Sequence, residues 1–336
     1  MSSIHDAIPA RTLFVSQSWP PSVDSAVYFS SISAALAQAV TMSPTRSDPV
    51  VIIVFPGTYA DALALVSNVH IFGHTRRDVV VTGAVTWTPG AGVNAPQAAI
   101  GEEVDVAQLR FEGSISIDST VKPETGQGCA FDGRSVDMRG GVTVNSRANR
   151  EDHFQIWGST LICTMTFTNT IVNLGGAGTY TVMNFNGACD VNSVGDQLYG
   201  TMTLVGSSVF AIQGSQIVGD FNVGAGCALE VAGSVLEAPS ILTVASGGTA
   251  DVRGSSYKSN TQLVGPGMVD RSIWRTAFGP TVVGNNVVPL DPPYADANYG
   301  VVIENAGLAT IVSKSTGSFV LNDPTGGNSY AITILK

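Results

Sequence analysis

Residues 209–257 read VFAIQGSQIVGDFNVGAGCALEVAGSVLEAPSILTVASGGTADVRGSSY, and their rhythm decides the fold. An apolar anchor recurs at Val191, Ile212, Val231 and Val252, at spacings of 21, 19 and 21 residues. The last three are followed by Gly214-Ser215, Gly233-Ser234 and Gly254-Ser255. Each unit closes on a short strand-like segment: Phe221-Asn222-Val223, Leu242-Thr243-Val244 and Gln262-Leu263-Val264. Echoes lie upstream at Phe111-Glu112-Gly113-Ser114, Phe131-Asp132-Gly133 and Ile156-Trp157-Gly158-Ser159. A unit of about 20 residues with two or three short strands cannot bury its own apolar face. Stacked as coils of a solenoid, the units place each inward side chain on its equivalent in the next coil. Their backbones then bond coil to coil at about 4.8 Å. Residues 50–265 would supply some ten coils at this period (about 20 residues each).

Other repeat folds fit less well. The Leu-x-x-Leu-x-Leu frame of leucine-rich repeats is absent, and the strands are too short for propeller blades of about 40 residues. A jelly roll is the remaining competitor. Composition agrees with a β-rich chain: of 336 residues, 44% are hydrophobic and only 12% charged, with 37 Gly and 16 Pro spread along the length. So few charges argue against a helical bundle or coiled coil. The formal charge of −10 argues against a nucleic-acid surface. The best basic cluster, Arg147–Arg150, is followed by Glu151 and Asp152 and reads as a solvated loop. The longest apolar run, Val50 to Phe55, is far short of the roughly 20 residues a membrane helix needs. The N-terminus carries no secretion signal pattern. Cys129, Cys163, Cys189 and Cys227 match no zinc spacing and read as buried free thiols.

The segment 12–85 adds a more specific signal. Leu13-Phe14-Val15 reads as a strand, and residues 26–40 (AVYFSSISAALAQAV) as an amphipathic helix with Phe29, Ile32, Leu36 and Ala39 on one face. The strand PVVIIVFPGTYADALAL follows, with Pro56, Gly57 and Tyr59, and then a coil with Val69, Ile71 and Gly73. This resembles the opening of the pectin-lyase-like superfamily, in which a helix caps the first coil. The resemblance implies an all-β fold: a right-handed parallel β-helix (solenoid) with an N-terminal capping helix and a small C-terminal antiparallel β module. The expected organisation is a leader and capping helix over 1–49, the parallel β-helix over 50–277 and the C-terminal module over 278–336.

The chemistry of that superfamily is not matched by motif. Its esterases use a Gln-Asp pair with a second Asp and an Arg; the central region offers only the reversed Asp196-Gln197. Asp-Asp, as in polygalacturonases, is absent, and no His lies beyond Asp190. A calcium site of the lyase type, built from three clustered acidic residues within one coil, is not expected. His70 and His74 could share a strand face, but the neighbouring Arg76-Arg77 would repel a cation. The Gly-rich run 175–178 lacks the Lys of a phosphate loop. One acidic constellation stands out: Glu230 and Asp251 precede equivalent anchors, so adjacent coils would stack them about 5 Å apart, with Arg253 beside them. A solvated ion cluster explains the same three residues.

The C-terminal strands Tyr299–Ile303, Ala309–Val312, Ser318–Leu321 and Tyr330–Leu335 alternate with turn signals and read as an antiparallel meander. They resemble the β modules that end viral fibre and spike chains. Taken together, these readings give a non-enzymatic structural protein, a capsid-associated or spike component of a large DNA virus or phage. It would be made in the host cytoplasm and located in the virion. Catalytic, cofactor and metal residues are expected to be none. The expected partners are further copies of the chain, trimers first, other capsid proteins and surface glycans, with no nucleic acid and no membrane insertion. The alternative is a polysaccharide lyase or glycosidase using Glu230, Asp251 and Arg253, or a glycan-binding adhesin.

Overall fold

The computed structural model describes residues 11–19, 26–97, 101–122, 127–148, 151–237 and 241–253, and the strands between residues 256 and 334. Nearly all of it is β structure, wound as a solenoid of about 10 parallel coils. The chain forms two compact units, Met1–Asn173 and Leu174–Lys336.

In the first unit one sheet runs in parallel register through Thr12–Val15, Val50–Val54, Val69–Gly73, Glu102–Ala107, Cys129–Arg134 and His153–Trp157. Side chains alternate across it. Val104, Val106, Phe131, Phe154 and Ile156 point to the core, and Glu103, Asp105, Asp132 and Gln155 point outward. Phe131 and Phe154 are register partners and stack with centroids 5.3 Å apart. That contact is the expected reward of placing like on like in a solenoid.

The helix occupies Ile32–Thr41, shorter than the sequence reading. Ser31 caps it, its hydroxyl accepting the N–H of Ala34, so the helix cannot extend upstream to residue 26. Phe29 instead belongs to a two-residue strand paired with Val15. Ile32, Leu36 and Ala39 are buried as expected, with Ala35. All four cysteines are free and buried. Burial pushes the Cys163 thiol up to about 12, so it remains a protonated small hydrophobe.

In the second unit Asp190–Val194, Val209–Gln213, Ala228–Ala232, Thr249–Arg253 and Met268–Asp270 pair in parallel. Ile212, Val231 and Val252 are equivalent, as the repeat predicted, but Val191 pairs with Phe210 and not Ile212. The apparent spacing of 21 there came from matching Val191 to the wrong one of two inward residues two apart. The segments Phe221–Val223 and Leu242–Val244 are in register.

The structure also explains the Gly-Ser dipeptide. Gly195, Gly214 and Gly233 sit at one coil corner with φ of 69°, 61° and 58°. The next residue turns inward and bonds to the coil below. Ser234 Oγ accepts the Ser215 N–H at 3.1 Å, Ser215 Oγ accepts the Asp196 N–H at 3.1 Å, and Asp196 Oδ1 accepts the Ala177 N–H at 2.6 Å. This satisfies corner N–H groups that the sheets cannot reach. A second corner, in the first unit, needs glycine for space: a Cβ on Gly113 would lie 2.0 Å from the Gly83 carbonyl oxygen. Nothing crowds Gly214. Gly214→Ala should therefore cost only the left-handed backbone penalty, about 1–2 kcal/mol, whereas Gly113→Ala should cost about 3 kcal/mol through overpacking. Urea unfolding of both variants checks the order; equal losses would contradict it.

The C-terminal backbone differs from an antiparallel meander. Val302–Glu304 pairs in parallel with Thr281–Val283, and Ile311–Ser313 in parallel with Val288–Leu290. Among the described residues of this region, only Gly317–Asn322 and Ser329–Ile334 pair antiparallel. Turn signals separate strands without saying whether the chain reverses or winds on, and four of the described strands here pair in parallel.

Candidate functional site

The outward face of the first unit's sheet assembles residues that lie far apart in the sequence. Coils are in register so that Asp105 pairs with Asp132, and Asp132 with Gln155. His70 lies beneath Asp105, its Nδ1 accepting the Asp105 backbone N–H at 3.2 Å and lying 3.3 Å from Oδ2. The imidazole proton is then on Nε2. Glu103, two residues before Asp105, shares its face. Glu103, Asp105 and Asp132 each present an oxygen within 4.8 Å of the others.

The electrostatics follow from that crowding. Burial, then the charges of Asp105 and Glu103, push the Asp132 carboxyl up to about 6, against a smaller opposing effect of Arg134. Oδ1 of Asp132 and Oδ1 of Asp105 are both buried without a hydrogen-bond partner. One proton on Asp132 relieves the repulsion and can be shared with Asp105. Beside this column Arg134 and Trp157 are register partners on adjacent coils, both exposed, Trp157 at 45%. Arg76 reaches the same edge, its Nη1 donating to the Gly158 carbonyl at 3.3 Å. The face thus joins a carboxyl pair, one exposed indole and two guanidinium groups. The three carboxylates offer oxygen ligands suited to a hard divalent cation, drawn from two coils and not one.

The sequence-predicted constellation is placed as expected in part. Glu230 and Asp251 are register partners, and they line a cavity of about 230 Å³ with Val231 and Ala232. Arg253 pairs with Ala232, and its side chain lies outside the described residues. His70 and His74 do not converge on one ligand: His70 faces Asp105, and the His74 ring stacks on Phe55. The Asp105–Asp132 pair was missed because successive coils there differ in length. Asp105 and Asp132 are 27 residues apart, and Asp132 and Gln155 are 23 apart, so a period of 19 to 21 does not superpose them. The usable signal was local: Val104-Asp105-Val106, Phe131-Asp132-Gly133 and Phe154-Gln155-Ile156 share one inward–outward–inward frame.

No protein-family model matches the sequence, and no curated protein matches it. Among solved structures the chain is similar to pectin methylesterase PemA from Erwinia chrysanthemi. The identity is 12%, the match covers 75% of this chain and 80% of that one, and the TM-score is 0.29. It is also similar to a pectin methylesterase in complex with hexasaccharide VII, at 13% identity over 75% of this chain and 80% of that chain, with a TM-score of 0.23. Likenesses this distant say nothing of the chemistry. The expectation of a non-enzyme meets a contrary finding here, since both neighbours are by name pectin methylesterases. The surface also carries a carboxyl cluster that the motif search had not assembled.

Among the described residues no helix is long and apolar enough to cross a membrane.

Proposed function

We propose that the chain is a polysaccharide-active hydrolase working at Asp105 and Asp132. The observation that carries this is the carboxyl pair itself: oxygens from adjacent coils within 4.8 Å, one carboxyl raised to about 6. Hydrolysis of a glycosidic bond with retention needs one carboxylic acid and one carboxylate whose carboxyl groups are about 5–5.5 Å apart. Asp132 keeps its proton in the weakly acid range and serves as the general acid. Asp105, whose backbone N–H is bonded to His70 Nδ1, is positioned as the carboxylate nucleophile. An exposed Trp157 offers a flat apolar surface to a sugar ring. Arg76 and Arg134 beside it favour a sugar bearing negative charge.

The test is incubation of the full chain with a panel of neutral and uronate polysaccharides, reading new reducing ends. The expected result is release from at least one polymer, with a loss of about 10³-fold in Asp105→Asn. Above pH about 6 the rate should fall, because Asp132 loses the proton it must donate. Product formation that persists unchanged in Asp105→Asn, or none from any polymer, overturns the assignment.

A further inference from the structure

The outward face that carries Asp105 and Asp132 bears a second row of side chains, two residues further along each strand. Tyr28, Phe14, Ile53 and Phe72 are successive register partners in it, all half-buried. The row continues through Ala107 and Arg134 to Trp157. The neighbouring sheet of the same unit shows how different this is. Its outward row reads Thr86, Ser116, Thr143 and Thr166, polar throughout. Trp19 widens the aromatic part, with ring centroids 5.1 Å from Tyr28 and 5.5 Å from Phe55. Its Nε1 is buried without a hydrogen-bond partner, so what the half-buried indole shows to solvent is hydrocarbon. Phe14 stacks on Tyr28 at 5.4 Å, which fixes both rings. His70 joins the two rows: its ring stacks on Phe72 with centroids 6.4 Å apart, and its Nδ1 accepts the Asp105 N–H.

We propose that this row is the track of a polysaccharide chain laid along the coil axis, with Phe72 and Trp19 holding the part of the chain remote from the cut. The proposal rests on the reading of Asp105 and Asp132 as hydrolytic residues and adds the substrate class: a long chain and not a short oligosaccharide. Length argues for this. Phe72 and Trp157 lie on the coils either side of the acid pair, three coil steps or about 14 Å apart, and Tyr28 and Trp157 are six steps or about 29 Å apart. A ligand that touches both ends must contain several linked rings. Chemistry argues the same way. A sugar ring has an apolar C–H face and a polar rim, and here a row of apolar rings runs beside the polar row His70, Asp105, Asp132 and Gln155. A row one side chain wide is too narrow for a protein partner, which needs about 800 Å² on each side. Exposed apolar surface in such a continuous line marks a binding site. Contacts made far from the reacting bond favour long substrates over truncated ones.

The test is affinity electrophoresis of the full chain through native gels cast with each neutral and uronate polysaccharide of the panel. Asp105→Asn is used, so that no polymer is cut during the run. Retardation by at least one polymer is expected, and a disaccharide of the same sugar should not relieve it. Phe72→Ala in that background should weaken binding about 3- to 10-fold, the worth of one aromatic contact. Phe72→Leu keeps the bulk against a folding defect while removing the ring, and should weaken binding as much; Phe72→Tyr should restore it. In the active chain Phe72→Ala should raise KM for the polymer, and the change should lie in KM and not in kcat. Retardation by no polymer, equal retardation in Phe72→Ala and Phe72→Leu, or relief by the disaccharide overturns the track. Cleavage of a polymer without binding that depends on Phe72 removes the track and leaves the hydrolase. Binding that depends on Phe72, with no cleavage by the wild-type chain, does the reverse.

Discussion

Asp132→Asn is expected to abolish polysaccharide hydrolysis and to make the protein more stable at neutral pH. The two effects share one cause. Asp132 is pushed from the ordinary 3.8 up to about 6 by burial and by the charges of Asp105 and Glu103. Between those values the unfolded chain releases the proton and the folded chain holds it. Stability therefore falls as pH rises through that window, and the loss is complete above about 6. Two pH units correspond to roughly 3 kcal/mol, and for a carboxyl still partly open to solvent about 1–3 kcal/mol is the realistic range. Asparagine cannot ionise, and its amide still donates toward Asp105. The variant should gain that stability at pH 7.5 and gain nothing at pH 3.5, where both forms are neutral. Its rate should fall by about 10²–10⁴, the usual contribution of a general acid. Urea melts at the two pH values with reducing-end assays check both. A variant destabilised equally at pH 3.5 and 7.5 would show that Asp132 is held by structural bonds and not by repulsion.

How much of this was legible in the sequence depends on coil length. In the second unit consecutive coils keep within 19 to 21 residues, so Ile212, Val231 and Val252 announce the solenoid and place Glu230 on Asp251. In the first unit Ile71 and Val106 are partners across 35 residues, and Val106 and Gly133 across 27. Loops of variable length leave the pairing intact, because the sheet needs only the strands, but they erase the period from which stacking is read. The helix end was a local matter: Phe29 fits the apolar stripe by spacing, and Ser31 overrides it by capping. Strand direction at the C-terminus could not be read at all, since parallel and antiparallel pairing share the same alternation. The compositional likeness of residues 299–335 to viral fibre ends carries no positional information for the same reason.

The corner ladder makes the second large prediction, and it separates chemistry from shape. Asp196 occupies the position that Ser215 and Ser234 fill in the following coils. It is 1% exposed, accepts the Ala177 N–H through Oδ1 and accepts the Ser193 hydroxyl through Oδ2. Asp196→Ala removes the acceptor and leaves a buried N–H and a buried hydroxyl without it, at about 1–3 kcal/mol each. A total loss of about 2–4 kcal/mol is expected. Asp196→Ser should cost less than half of that, because a hydroxyl at this corner already reaches the coil below in two neighbouring repeats. Burial raises the Asp196 carboxyl, against the lowering effect of its hydrogen bonds to Ser193, Ala177 and Val194. In the wild-type chain Asp196 should therefore add to the decline in stability as pH rises above 3.8, the ordinary carboxylate value, and the serine variant should lose that share while keeping the one due to Asp132. Urea unfolding from pH 3.5 to pH 7.5 measures both quantities. If Asp196→Ser were as damaging as Asp196→Ala, the corner would require a charge, and the repeated Gly-Ser dipeptide would not be interchangeable between coils. If both were harmless, the inward-turning residue would contribute nothing to coil stacking, and the strands alone would set the register.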